Sequence, residues 1–360
     1  MKRLFTTALL AALCCSAASA ADWGLKAGSP KLQSAGPLAF GPDDVLFVGD
    51  TKSATVFAIA TGNTEGDAAQ AKINLENVGS LVSDVVGAEA TINDLVTNPN
   101  TGNVFASVTA SGKPAIVQIN GAGKISKLDL ANVKFSSATL EDAPEDKVVR
   151  RGRRSSNPRE QAITDLAFFE GKVLVSGLRS GAAPSSVREV AFPFSKADKG
   201  VGVQIFHAAH GRDEDYSALR TFVPLMIDGK PNLLAAYTCT PLVKIPLEDI
   251  RKATDRITAT TVAELGNRNR PLDMISYSKG GAEYLLLSNS ARGVMKITTK
   301  GLKANDGLTE RVSGGGVAGQ TYETVESLQG VVQMDKLNDG NAVVLLEQDG
   351  KLNLKTVALP

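Results

Sequence analysis

Residues 341–359, NAVVLLEQDGKLNLKTVAL, decide the fold: an apolar run, a short polar turn, and a second apolar run. The same phrase recurs at 45–60 (VLFVGDTKSATVFAIA), 102–119 (GNVFASVTASGKPAIVQI), 171–192 (GKVLVSGLRSGAAPSSVREVAF), 232–247 (NLLAAYTCTPLVKIPL) and 283–298 (EYLLLSNSARGVMKIT). Each copy follows a further apolar run, whose first core residues read as Leu38, Leu95, Leu166, Phe222, Met274 and Val331. Most of these starts lie roughly fifty to sixty residues apart, which suits four short strands with their turns. Six such copies predict an all-β chain folded as a six-bladed β-propeller.

One interval, Leu95 to Leu166, is longer than the rest. It contains Glu141, Asp142, Glu145 and Asp146 followed by Arg150, Arg151, Arg153 and Arg154, and reads as a charged loop inserted at about 136–161. Continuous apolar runs such as Leu285-Leu286-Leu287 fit strands covered on both faces. Residues 77–89 come nearest to an amphipathic helix. After Gly350 only one strand's worth of chain remains, so the last blade lacks a fourth strand. Residues 25–35 are the expected donor: an N-terminal strand closes the ring and removes an open edge, with Trp23 packing beside it.

Residues 1–20 read as a signal peptide, with Lys2 and Arg3, an apolar run from Leu4 to Cys15, and Ala18-Ser19-Ala20 before the cut. The run is too short for a permanent membrane anchor. Residues 21–360 are then a single exported domain, periplasmic or secreted, expected to be a monomer. Removing Lys2 and Arg3 from the 39 basic side chains leaves 37 against 38 acidic ones. So even a balance offers no broad positive field, and nucleic acid is not an expected partner. Cys239 is the one cysteine outside the leader, so stability rests on a packed core rather than on disulfides.

In a four-stranded antiparallel blade, the start of the innermost strand, the turn between the second and third strands, and the connection to the next blade share one rim. Asp94, Asp165 and Asp273 each stand directly before an innermost apolar run, with Thr221 at the same place in the fourth. Carboxylates crowded around a channel mouth suit a hard divalent cation such as calcium. The alternative is that each caps backbone amides at its strand start. The same rim receives Arg159, Tyr237, Cys239, Arg268, Asn269, Arg270, Asn289 and Arg292. Guanidinium forks flanked by amides suit a small anionic ligand, or they pair with the aspartates. His207 and His210, the only histidines, are followed by Asp213, Glu214 and Asp215. They are candidates for a general base or for zinc ligands, and equally for structural hydrogen bonding. Cys239 is a candidate nucleophile or a small packed side chain.

The aspartates ahead of the innermost strands, Asn93-Asp94, Asp165 and Asp273, resemble those of calcium-dependent gluconolactonase and paraoxonase-type propellers, and the blade phrase resembles NHL-repeat propellers and the peptide-amidating lyase built on them. The phrases AAYTCTPLVK, ELGNRNRPLDM and SNSARGVMKI are similar to those of exported bacterial propeller proteins. The resemblance implies a divalent cation held by acidic or amide side chains at the channel mouth. Two departures stand out. Gly36-Pro37 occupies the place of the lactonase glutamate, and two histidines cannot supply the lyase's zinc set. No CxxCH motif is present, so no heme is expected. Two functions follow as expectations: a rim that binds a small anionic molecule or a protein partner, or a metal-dependent hydrolase or lyase with His207 or His210 moving the proton.

Overall fold

The computed structural model describes residues 23–151 and 154–360, so the expected signal peptide lies outside the described residues. Six strands lie innermost: Leu38–Phe40, Ala90–Thr97, Asp165–Phe169, Leu219–Ile227, Pro271–Lys279 and Val331–Lys336. Each begins an antiparallel set of at least four strands, called here sheets 1 to 6 in that order. Sheets 3 and 4 are further joined by a parallel pairing of Val201–His207 with Arg256–Leu265.

Alternation along the second strand of each sheet sets the neighbours, because successive side chains point to opposite faces. In sheet 5, Leu285 and Leu287 pack with Val223 and Leu225 of sheet 4, while Leu286 packs with Met334 and Val344 of sheet 6. In sheet 1, Val45 and Phe47 face Leu166 and Val173 of sheet 3, while Leu46 and Val48 face Val96 and Phe105 of sheet 2. Sheet 2 turns its other face, through Val104 and Val108, to Val343 and Leu345 of sheet 6. With sheets 3 and 4 sharing the cluster of Leu174 and Leu233, the circuit closes. The fold is propeller-like.

The circuit runs 2–1–3–4–5–6, so the first two sheets stand in exchanged order. After its third strand in sheet 1 the chain crosses to the far neighbour of sheet 2. There Asn74–Leu75 pairs with Lys351–Ala358 as the outer strand of sheet 6. The helix Val78–Val86 then buries Val78 and Val82 between sheets 6 and 2. The chain builds sheet 2, and Val133–Thr139 returns to pair with Thr55–Ala60 of sheet 1. The expected closure by the N-terminus is therefore corrected. Lys26–Gly28 adds an outer strand to sheet 1 by pairing with Val133–Thr139, and the internal strand Asn74–Leu75 completes the last sheet. A two-residue strand suffices because Ile73 is buried and exchanges two bonds with Thr356, through its own N–H (2.9 Å) and its carbonyl (2.8 Å). Trp23 stacks on Phe192, with ring centroids 5.5 Å apart, on the flank of sheets 1 and 3.

The charged stretch at 136–161 begins inside a strand of sheet 1 and continues as a hairpin, Val149–Arg151 with Arg154–Ser156. Asp142 anchors it to sheet 3. Its carboxylate pairs with the buried Arg188 guanidinium and accepts from Gly200 N at 2.8 Å. No helix among the described residues is long and apolar enough to cross a membrane.

Candidate functional site

At the centre of the circuit, Asp94, Asp165 and Asp273 are the three residues common to two stacked cavities. One, about 330 Å³, opens on the rim lined by Ser34, Glu160 and Arg220. The other, about 380 Å³, is walled by the innermost strands and includes Asp335. The aspartates are the waist between the two.

Each carboxylate also fastens one sheet to the next. Asp94 Oδ2 accepts from Leu38 N (2.7 Å), Asp165 Oδ2 from Phe222 N (2.8 Å), and Asp273 Oδ2 from Met334 N (2.7 Å). The residues preceding those amides are Pro37, Thr221 and Gln333, all facing the same cavity. Around the circuit the waist therefore reads Asp94, Pro37, Asp165, Thr221, Asp273, Gln333. Acids alternate with neutral residues, and three sheet junctions are stapled in one sense. The second oxygens of Asp165 and Asp273 cap their own strands at Leu166 N and Met274 N. The backbone-capping role and a shared channel mouth thus coexist.

Gln333 ties the ring together. With its amide nitrogen facing the acids, it donates to Asp94 Oδ1 and to Asp273 Oδ2, each at 2.9 Å. Asp94 and Asp273 are held well above the ordinary carboxylate range, first by burial and then by neighbouring carboxylate charges. Burial pushes Asp165 up to about 7 and Asp335 up to about 6. The acids are half-buried in accessible area, but that area faces the channel rather than bulk water, so their hydration is still poor. Arg220 is the one basic residue lining the upper cavity, and its Nε is buried without a hydrogen-bond partner. Burial, and next the nearby Arg270, lowers its pKa.

The other predicted residues spread over the rim. Asn269 and Asn289 are buried and bond to each other (Nδ2 to Oδ1, 2.9 Å), clamping two loops together. Arg268 and Arg292 border a separate depression of about 510 Å³. Gly266 makes room for the Arg292 guanidinium: a Cβ there would lie 2.4 Å from Cζ, and its φ of +102° favours glycine. Arg270 is exposed beside Ser290. Arg159 is turned to backbone, with Nε on Pro144 O (2.5 Å) and Nη1 on Lys52 O (3.1 Å). Tyr237 is a core side chain between sheets 3 and 4, and burial raises its phenol. Cys239 is free, in a left-handed turn with φ of +66°.

His207 and His210 do not line the channel cavities; they lie at and just after the end of Val201–His207, the strand that joins sheet 3 to sheet 4. Val201–His207 pairs with Arg212–Glu214, and Glu214 receives His207 Nδ1 on Oε2 (2.9 Å) and His210 Nδ1 on Oε1 (2.7 Å). Burial pushes the Glu214 carboxyl up, but the bonds from both histidines, Tyr216 and Arg212 outweigh it and hold the carboxyl at about 2. Burial lowers His207. Neither histidine lines the cavity of the aspartates.

Sequence reasoning missed Gln333, Asp335 and Arg220. The residue equivalent to Leu95 on the last innermost strand is Met334, not Val331, because a bulge shifts the register between Val331 and Gln333. Gln333-Met334 is thus the counterpart of Asp94-Leu95.

No family model matches the chain, and no curated protein matches it. Among solved structures, the PQQ-bound aldose sugar dehydrogenase of Streptomyces coelicolor is 11% identical, over 92% of this chain and 98% of that one, with a TM-score of 0.31. Streptogramin B lyase is 9% identical over 94% and 100%, with a TM-score of 0.36. The plexin A4 extracellular region is 9% identical over 93% and 40%, with a TM-score of 0.44. Likenesses this distant transfer no activity.

Proposed function

We propose that the chain is an exported six-bladed β-propeller whose channel mouth holds a hard divalent cation and, above it, a small anionic ligand. One observation carries the reading: Asp94 Oδ1 and Asp273 Oδ2 converge on a single atom of the Gln333 amide. A half-turn of that amide would replace its nitrogen by its oxygen. Three oxygens from three sheets would then meet at one point, the donor chemistry that calcium-class ions take. Asp165 adds negative charge at the same waist. Arg220, with its unpartnered Nε, and the nearby Arg270 supply positive charge on the open side, so a carboxylate or phosphate would bridge cation and guanidinium. A small ligand fits better than a protein partner because these donors face into a cavity.

A metal-dependent hydrolase or lyase is the second reading, and Asp165 favours it. Its carboxyl lines the cavity beside Asp94 and Asp273 without bonding Gln333, so it is placed to move a proton, whereas neither His207 nor His210 lines that cavity.

The test is thermal melting of chelator-treated protein with and without calcium, followed by an anion panel in its presence. The expected result is a calcium-dependent rise that is lost in Asp94→Asn and Asp273→Asn, with anion effects lost in Arg220→Ala. A wild-type melting temperature indifferent to both calcium and chelator would overturn the cation reading.

A further inference from the structure

We infer that His207, His210 and Glu214 form a second, separate metal site, one for a zinc-class divalent ion. It does not depend on the channel reading, which concerns oxygen ligands in cavities that neither histidine lines. The three side chains can bring one ligand atom each within 4.8 Å of one another, and they are the one such group among the described residues. Two imidazole nitrogens and a carboxylate are the donor set that borderline-soft divalent ions prefer, and three protein ligands leave a fourth position open.

The hairpin explains why these residues meet. Glu214 pairs across the strands with Ile205. Since side chains alternate, His207, two residues beyond Ile205, projects to the same face as Glu214. The turn then folds back on itself, with His210 N and Gly211 N both donating to His207 O at 3.0 and 2.8 Å. That fold lays the second imidazole over the first, with ring centroids 3.9 Å apart. Two outside contacts hold the turn: Ala209 N donates to Glu264 Oε1 (3.0 Å), and Val312 N donates to Ala208 O (2.9 Å). Arg212 Nε also donates to Glu214 Oε1 (3.0 Å), the oxygen that receives His210, and helps to fix the carboxylate. The ligands are therefore positioned before any ion arrives.

Two further observations point the same way. Glu264 Oε2, on the carboxylate that holds Ala209 N, is buried without a hydrogen-bond partner, so a polar group beside the turn is left unsatisfied by protein alone. His210 is 43% exposed, which gives an ion a path in and leaves the open position facing solvent. Without metal, two imidazole N–H groups share one carboxylate. An ion at the same place would take both Nδ1 atoms and a carboxylate oxygen as ligands, each neutral ring then carrying its one proton on Nε2.

The experiment is zinc competition between the chelator-stripped full-length protein and a chromophoric chelator, with cobalt absorption as a second readout of nitrogen ligation. Wild type should take up one equivalent and show the visible bands of four-coordinate cobalt. His210→Ala, a partly exposed position that leaves the core intact, should bind at least about tenfold more weakly, and Glu214→Gln should lose the cobalt bands. Asp94→Asn should bind zinc as wild type does, which separates this site from the channel. Failure of wild type to retain zinc, or equal retention by His210→Ala, would overturn the inference.

Discussion

Asp94 and Asp273, on sheets separated by the whole width of sheet 6, are joined through one side chain: the Gln333 amide lies 2.9 Å from an oxygen of each. Two half-buried acids facing one another would otherwise repel, and a shared donor offsets that repulsion. Gln333→Leu, which keeps bulk and removes the donor, should cost about 1–3 kcal/mol in chemical denaturation, with a larger loss at pH 8 than at pH 5. Gln333→Glu should be less stable than wild type in chelator and regain more than wild type when calcium is added. A Leu variant as stable as the parent at both pH values would show that the amide does not hold the ring.

The raised carboxyls make a signed prediction about pH. An Asp in the unfolded chain ionises near pH 3.9, whereas Asp165 in the fold ionises at about 7 and Asp335 at about 6. Between those values the native state binds more protons than the unfolded one, so these groups' contribution is full below about pH 4 and is lost as pH rises through 6 to 7. Melting curves in chelator from pH 4 to 8 should therefore show Asp165→Asn gaining on wild type as pH rises. If the difference between the two proteins stayed constant across that range, Asp165 would not carry the shift.

Much of this centre could be read from the chain alone, because an aspartate directly before an apolar run has few places to go in a strand-rich fold. Asp94, Asp165 and Asp273 share one waist for that reason. Gln333 escaped notice because Val331-Val332 looks like a strand start, and only the bulge reveals that Met334 is the structural counterpart of Leu95. Near the histidines the difficulty was similar. Asp213, Glu214 and Asp215 are equivalent in composition, and hairpin register alone selects Glu214. The exchanged order of the first two sheets was hidden for another reason. Repeats announce units but not their neighbours, and the strand that closes the circuit is only the pair Asn74–Leu75, too short to carry a pattern.

That closing strand can be tested against the N-terminal one. Ile73 is buried between sheets 6 and 2 and exchanges two hydrogen bonds with Thr356, whereas Lys26 is exposed on the outermost strand of sheet 1. Ile73→Ala should cost about 2–5 kcal/mol, as for other fully buried aliphatic truncations. Lys26→Ala should stay within about 0.5 kcal/mol. Closure by the N-terminus would instead make changes at 26–28 the costly ones, so the ranking of the two variants in urea denaturation decides between the topologies.

A buried ion pair anchors the stretch after sheet 1 to sheet 3. Arg188 has a side chain only 2% exposed, and its partner Asp142 is 11% exposed. Asp142 also accepts from Gly200 N through its carboxylate, and its backbone carbonyl accepts from Ser180 N at 2.7 Å. Asp142→Ala would leave the guanidinium buried without its counter-charge, and breaking such a pair from one side costs about 3–5 kcal/mol. Replacing Asp142 by Asn keeps the shape and the acceptor for Gly200 N while removing the charge, so it should fall between Ala and wild type. The local consequence should exceed the global one, since the pair joins a loop to sheet 3 rather than two core sheets. Limited proteolysis of Asp142→Ala should therefore cleave within about 141–161 before the remainder of the domain is cut. Cleavage at the parent's rate in that stretch would show that the hairpin is held elsewhere.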